Sequence, residues 1–198
     1  RRRSGRPPAG TGGHLVNLFT GESSRALFGG EAPESVNRLL HEAAAAHADP
    51  TKAEALLWSA RLSAPNCLAV YFAQYKFYFY RRRLEDAERC ARDGLRVAGE
   101  QARIGRHWRE VQGGDADFGG VGPARFWLFT LKALAFIRLR LGDRAEAQAL
   151  LDKAAQLDPD DNLGASVIAR LKDESAPTRK DRPWTPPTAR SADPDDTP

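Results

Sequence analysis

The sequence predicts an all-α fold built as a stack of helix-turn-helix repeats, and three observations carry that prediction. The stretches beginning at Glu34, Leu68 and Leu128 fall into register: the first two lie 34 residues apart, and the third is displaced by the same period plus an insertion of 26 residues. Small residues recur at fixed places in that register, Ala53, Ala87 and Ala147 at one and Ala60, Gly94 and Ala154 at another. Larger landmarks also match, Leu40 with Leu134 and Pro65 with Pro159. A fixed period of this length marks supersecondary units that bury an apolar face only by stacking on a neighbour.

The elements follow in order. Residues 1–13 are rich in Arg, Gly and Pro and are expected to be a disordered basic tail. Residues 14–32 hold two apolar clusters, Leu15, Val16, Leu18 and Phe19, then Leu27 and Phe28 before Gly29 and Gly30. They read as a short helix or extended piece covering the open end of a repeat domain that spans 14–175.

The first repeat, near 34–67, starts after Pro33 with ESVNRLLHEAAAAHA. Its second helix is announced by Asp49 as N-cap and Pro50 at the first helical position, and it stops at Pro65. The second repeat, 68–101, supplies LAVYFAQYKFYFYRR and then LEDAERCARDGLRVA, with Gly99 as its expected end. The aromatic run from Val70 to Tyr80 favours a strand by composition. No turn signals frame a hairpin there, a capped helical pattern follows, and the run fills the first-helix slot of its repeat. Helix is therefore the reading.

Residues 102–127 form the insertion. QARIGRHWREV is expected to be partly helical, GGDADFGGVG a flexible loop, and Pro123 the start of a forward extension of the next helix. In the third repeat, 128–161, the first helix is expected to end at Gly142 and Asp143 to cap the second. A capping helix at 162–174 follows, closing the stack with Leu163, Val167, Ile168 and Leu171. Residues 176–198 are Pro-rich and read as a disordered tail with Trp184 as its one aromatic.

Composition narrows the function classes. A chain of 198 residues supports one substantial core. Its net charge of +4 resides in Arg1, Arg2, Arg3 and Arg6, so the body is neutral and carries no nucleic-acid footprint spread over the fold. Two local basic clusters, Arg81 to Arg83 and Arg103, Arg106, His107 and Arg109, read as solvated faces. Cys67 and Cys90 are too few for a disulfide framework and lack CxxC spacing, so they are expected to pack rather than react. LVNLF is too short for a membrane span or a secretory core, and a cytoplasmic location is expected. The chain has no Met, and its native start is expected to lie upstream.

At these residues the chain resembles the tetratricopeptide repeat family. The third copy carries Ala135 at the small eighth position, Gly142 and Asp143 at the turn, then Ala147, Leu151, Ala154 and the Leu157-Asp158-Pro159 ending. The second keeps Tyr71, Tyr78, Ala87 and Gly94 but has Tyr75 at the small position. The first departs most, with Asn37 and His41 in place of an aromatic and a small residue. The resemblance implies a right-handed superhelix whose first helices line a concave face that binds peptides or partner proteins.

Carried over residue by residue, the concave positions are Ser35, Arg38, Glu42, Ala45 and Ala46; Ala69, Phe72, Lys76, Phe79 and Tyr80; and Phe129, Lys132, Phe136, Leu139 and Arg140. The candidate partner-binding set is Arg38, Phe72, Lys76, Phe79, Tyr80, Phe129, Lys132, Phe136 and Arg140. Aromatics interleaved with cations suit an apolar or acidic partner segment. Glu42 stands where a carboxylate-clamping subtype has a neutral side chain, which disfavours a partner held by its terminal carboxylate.

No catalytic constellation emerges. The four histidines lack metal-ligand spacing, and the glycines of GGDADFGGVG do not form a phosphate loop. Neither a cofactor nor a metal is implied. The sequence reading is a non-catalytic interaction adaptor or assembly chaperone. Its alternative is an accessory subunit of a larger enzyme complex whose groove is filled by its own N-terminal segment or insertion.

Overall fold

A computed structural model describes residues 32–105, 107–162, 164 and 165. Within them the chain is all-α, with six helices and no strand: α1 (Glu34–Ala45), α2 (Pro50–Ser63), α3 (Leu68–Tyr80), α4 (Leu84–Ala102), α5 (Pro123–Arg140) and α6 (Arg144–Leu157). The expected N-terminal cover at 14–31, the body of the capping helix and both tails lie outside the described residues.

The helix starts follow the local chemistry read from sequence. Asp49 accepts a hydrogen bond from the Lys52 N–H at 3.0 Å and Pro50 opens α2. Asp143 accepts from Glu146 N–H at 2.9 Å and caps α6. Pro123, after Gly122, opens α5 as the expected forward extension.

Turns of three or four residues join α1 to α2, α3 to α4 and α5 to α6, so each pair runs antiparallel. Between pairs, α2 meets α3 and α4 meets α5, while α1 touches α3 and α3 touches α5. Helix α3 therefore has neighbours on several sides. That explains why its composition looks strand-like: burial on several flanks selects aromatics, and the i to i−4 ladder absorbs their modest helix propensity.

The small positions of the register are the places of closest approach. Ala53, Ala87 and Ala147 are all fully buried, as are Ala60 and Gly94, with Ala154 close behind. A Cβ on Gly94 would stand 3.0 Å from Cβ of Tyr71 across the α3/α4 contact, so any larger residue there would push the helices apart. Gly99 does not end α4 as expected. It lies inside the helix, where a Cβ would meet the Trp127 indole at 3.5 Å, and α4 ends at Arg103 in the left-handed region (φ 57°).

The insertion also departs from expectation. Among its described residues, 103–122 contain no helix, yet the segment is neither loose nor peripheral. Ile104, Trp108, Val111 and Phe118 join the main core, and the Phe118 ring lies 5.8 Å from that of Trp127. Lys153 Nζ, itself buried, donates to the Val111 carbonyl at 2.9 Å and to Gln156 Oε1 at 2.8 Å, tying the loop to α6. Asp117 Oδ1 accepts from the N–H groups of Gly119 and Gly120, and a Cβ on Gly120 would collide with that carboxylate. Glycine breaks the helical pattern, and side-chain burial supplies the order that helix formation would otherwise provide.

The core is divided. The main cluster runs through α3 to α6 and the insertion, whereas a small one, Val36, Ala60 and Val70, joins α1 and α2 to α3. Polar links reinforce this thinner joint. Trp58 Nε1 donates to Tyr78 Oη at 3.1 Å, Tyr78 donates to Glu54 at 2.8 Å, and Arg83 Nη1 lies 2.7 Å from the other Glu54 oxygen. Arg61 pairs with Asp93 and lies over the Tyr71 ring at 4.7 Å.

The Arg83 hydrogen bond holds the Glu54 carboxyl below its ordinary 4.5, with a second contribution from Tyr78, against burial that pushes it up. A depressed folded-state pKa stabilises above the ordinary value and loses that contribution as pH falls through the folded value. Glu54→Gln is therefore expected to be less stable than wild type at pH 7, with the two urea-unfolding free energies converging below about pH 4.5. Parallel curves down to pH 3 would show that the bridge contributes nothing to the joint.

No helix among the described residues is long and apolar enough to cross a membrane.

Candidate functional site

Helices α3 and α5 present matching stripes. On α3, Phe72, Lys76, Phe79 and Tyr80 are spaced to share one side of the helix, and on α5 the same holds for Phe129, Lys132, Phe136 and Arg140. The stripes meet in two aromatic pairs. Phe72 and Phe129 have ring centroids 5.8 Å apart, and Phe79 and Phe136 5.2 Å apart, both tilted. Tyr80 stands edge-on to Phe79 at 5.9 Å, and the residue is 56 % exposed. The result is a ladder of aromatic rungs with a polar rim.

The cations of the set are placed unequally. Lys76 Nζ lies 4.8 Å from the centre of the Phe72 ring, half-buried, and burial pulls its pKa down. Burial lowers Lys132 as well, offset in part by the nearby charges of Asp161 and Asp158 at the end of α6. An ammonium held against rings in a poorly solvated place interacts more strongly with an incoming anion than one in open water. Arg38 on α1 and Arg140 at the end of α5 are exposed, and neither joins the aromatic ladder.

Phe129 differs from its expected role. It is buried, only 8 % exposed, and belongs to the main core. It supports Phe72 from behind, while Phe72, Phe79 and Phe136 remain partly accessible at the core's edge.

The two basic clusters are largely engaged in tertiary structure. Arg81 lies over Phe77 at 4.0 Å and donates to the His47 carbonyl, and Arg83 bridges Glu54 and Asp86. Arg109 covers Trp108 at 4.2 Å, and His107 stacks on the same ring at 6.2 Å. Arg106 lies outside the described residues. Cys67 directly precedes the first residue of α3. Cys90 is buried in α4, where burial pushes its thiol up to about 11, so it is protonated and unreactive at neutral pH. Among the described residues no group of three or more His, Cys, Asp or Glu is arranged to hold a metal ion.

Sequence reasoning missed one polar feature. Arg92 and Arg138 alternate with Glu88 and Glu146 in a closed ring, Arg92 to Glu88 at 2.7 Å and to Glu146 at 2.9 Å, Arg138 to Glu88 at 2.9 Å and to Glu146 at 2.6 Å. Asp143 adds a further contact to Arg138. The Glu88/Arg92 spacing of four residues hinted at half of it. The partners on α5 and α6 were not readable without the fold.

The chain is 35 % identical over 129 residues to a protein of Azotobacter chroococcum mcd 1 described as an uncharacterized 19.8 kDa protein in the nifW 5′ region. The match covers 64 % of this chain and 72 % of that one. No protein-family profile matches the chain, and no solved structure does.

Proposed function

We propose that this chain, which belongs to the same family as the Azotobacter chroococcum protein, is a non-catalytic interaction adaptor or assembly chaperone of tetratricopeptide type. In this reading the three helix pairs form a right-handed superhelix, with α1, α3 and α5 along its inner side. A partner segment lies across the α3/α5 face. Support for the stacking comes from the contacts of α1 with α3 and of α3 with α5, and from the burial of the small residues at matching positions of the pairs.

One observation carries the binding reading: Phe72, backed by the buried Phe129 and covered by Lys76, and the Phe79/Phe136 pair form an aromatic and cationic edge where two first helices meet, with Lys132 on the same stripe of α5. Accessible aromatic side chains in partly dry surroundings are the usual anchors of protein interfaces, and partly desolvated lysines favour acidic residues in the partner. The insertion does not compete for this surface through the contacts described above, since those lie at Gly99, Trp127, Lys153 and Gln156. The nifW neighbourhood of the relative supplies the first proteins to test as partners.

A peptide array tiling those neighbouring proteins tests the reading. Wild type is expected to select segments with apolar residues next to Asp or Glu. Phe72→Ala with Lys76→Ala is expected to weaken them at least about tenfold while the circular dichroism stays helical. Undiminished binding by the folded double variant would falsify the assignment of this face.

A further inference from the structure

We propose that residues 14–31 of this same chain occupy the α3/α5 face in the free protein, so that a partner binds by displacing them. The inference rests on the α3/α5 face being a docking surface, as proposed above.

Three observations select this occupant. The first is where the described chain begins. Ala32 packs against the small cluster of Val36, Ala60 and Val70, and its carbonyl accepts from Asn37 Nδ2 at 2.9 Å. Val70 lies in the first turn of α3, the helix that carries Phe72 and Phe79, so the described chain begins against the N-terminal end of that helix.

The second is reach. Eighteen residues extend to roughly 60 Å. The ladder from Phe72 to Phe79 is only about 10 Å long, and neighbouring helices lie about 8–10 Å apart.

The third is chemistry. Leu15, Val16, Leu18, Phe19, Leu27 and Phe28 supply apolar groups, and Glu22 and Glu31 outnumber the single Arg25. Those are the groups that match phenylalanines and half-buried lysines. Residues 1–13 carry four arginines and no acid, which Lys76 and Lys132 repel, and 176–198 are dominated by proline and charge.

An internal competitor sets a threshold. A tethered segment acts at an effective concentration of about 1 mM. If it binds as a free peptide with a Kd near 100 μM, it weakens every external ligand about tenfold. Weak contacts are then rejected, and a good partner gains the face only by matching both the rings and the lysines.

The test uses a fluorescein-labelled peptide of residues 14–31 titrated into the full chain in three forms. Leu18→Asp with Phe19→Asp is expected to bind it about tenfold more tightly than wild type. Adding Phe72→Ala and Lys76→Ala to that variant is expected to abolish the gain. Equal binding by wild type and the Leu18/Phe19 variant overturns self-occupation. A gain that survives loss of Phe72 and Lys76 puts the segment elsewhere and overturns the inference equally.

An arm that leaves the N-terminal segment unaltered places a photo-crosslinking phenylalanine analogue at Tyr80. Cross-links are expected within residues 14–31 of the same molecule; cross-links only to 166–198, or only between molecules, contradict the proposal. If array binders still depend on Phe72 and Lys76 while these arms fail, the docking surface stands and self-occupation alone falls.

Discussion

Trp127→Ala is expected to lower the free energy of unfolding by about 3–5 kcal/mol, a large fraction of the roughly 5–15 kcal/mol that holds a domain together. The indole is 2 % exposed and serves two parts of the molecule. On one side it packs where α4 carries Gly99, close enough that a Cβ there would meet Nε1 at 3.5 Å. On the other the Phe118 ring of the insertion lies tilted against it, with centroids 5.8 Å apart. Truncation leaves a cavity that neither side can fill, because Gly99 has no side chain to move in and Phe118 is held by a loop fixed through Lys153 and Asp117. Two measurements check this. Guanidinium unfolding reports the total loss, and amide hydrogen exchange is expected to rise across residues 104–118 before the rest of the chain. A loss below about 1 kcal/mol would mean that the insertion is not part of the core.

The second large effect is expected at Arg138. Its guanidinium meets Glu88, Glu146 and Asp143 with 20 % of the side chain exposed, and it closes the ring that binds α4 to α5 and α6. Arg138→Ala leaves two half-buried glutamates facing a single Arg92, and a cost of about 2–3 kcal/mol follows, below the figure for fully buried pairs because water reaches the rim. Arg138→Lys is expected to recover less than half of it, since a point charge cannot address three carboxylates as a planar fork does. Urea unfolding of both variants, with Arg96→Ala as an exposed-pair control of small effect, separates the ring from ordinary surface charge. Equal behaviour of Arg138→Ala and the control would show that the ring is ornamental.

Much of the fold was legible because repeat register constrains particular atoms. Ala53, Ala87 and Ala147 had to be small for helices to touch, and they are buried. Asp49 and Asp143 cap helices for a local reason that sequence carries in full. His41, at the position where Ala135 is buried, is exposed, consistent with the first copy being the most divergent. The insertion was not legible. Trp108, Val111 and Phe118 obey no period, and their burial depends on the start of α5 and the end of α6, which no local pattern encodes.

The candidate site divides in the same way. Spacing along each helix placed Phe72, Lys76 and Phe79 on one stripe and Phe129, Lys132 and Phe136 on another, and the rings do meet across the two helices. Spacing could not tell which ring of a pair is outermost. Phe129 is buried and Phe72 is only partly so, a difference fixed by how α5 sits against α3. Nor could it show that Lys76 and Lys132 lose water unequally from Arg38 and Arg140, which stay exposed.

Partners are expected to reach this protein through the α3/α5 face, and quantitative affinity capture from its native host checks that expectation. Three tagged full-length forms are compared by mass spectrometry: wild type, Phe79→Ala with Lys76→Ala, and Leu62→Ser on α2, whose side chain is 80 % exposed away from the ladder. Wild type and Leu62→Ser are expected to retain the same specific partner, and the face variant to lose at least about nine-tenths of it while remaining folded. Retention of that partner by the folded face variant, or its loss with Leu62→Ser alone, would contradict the account.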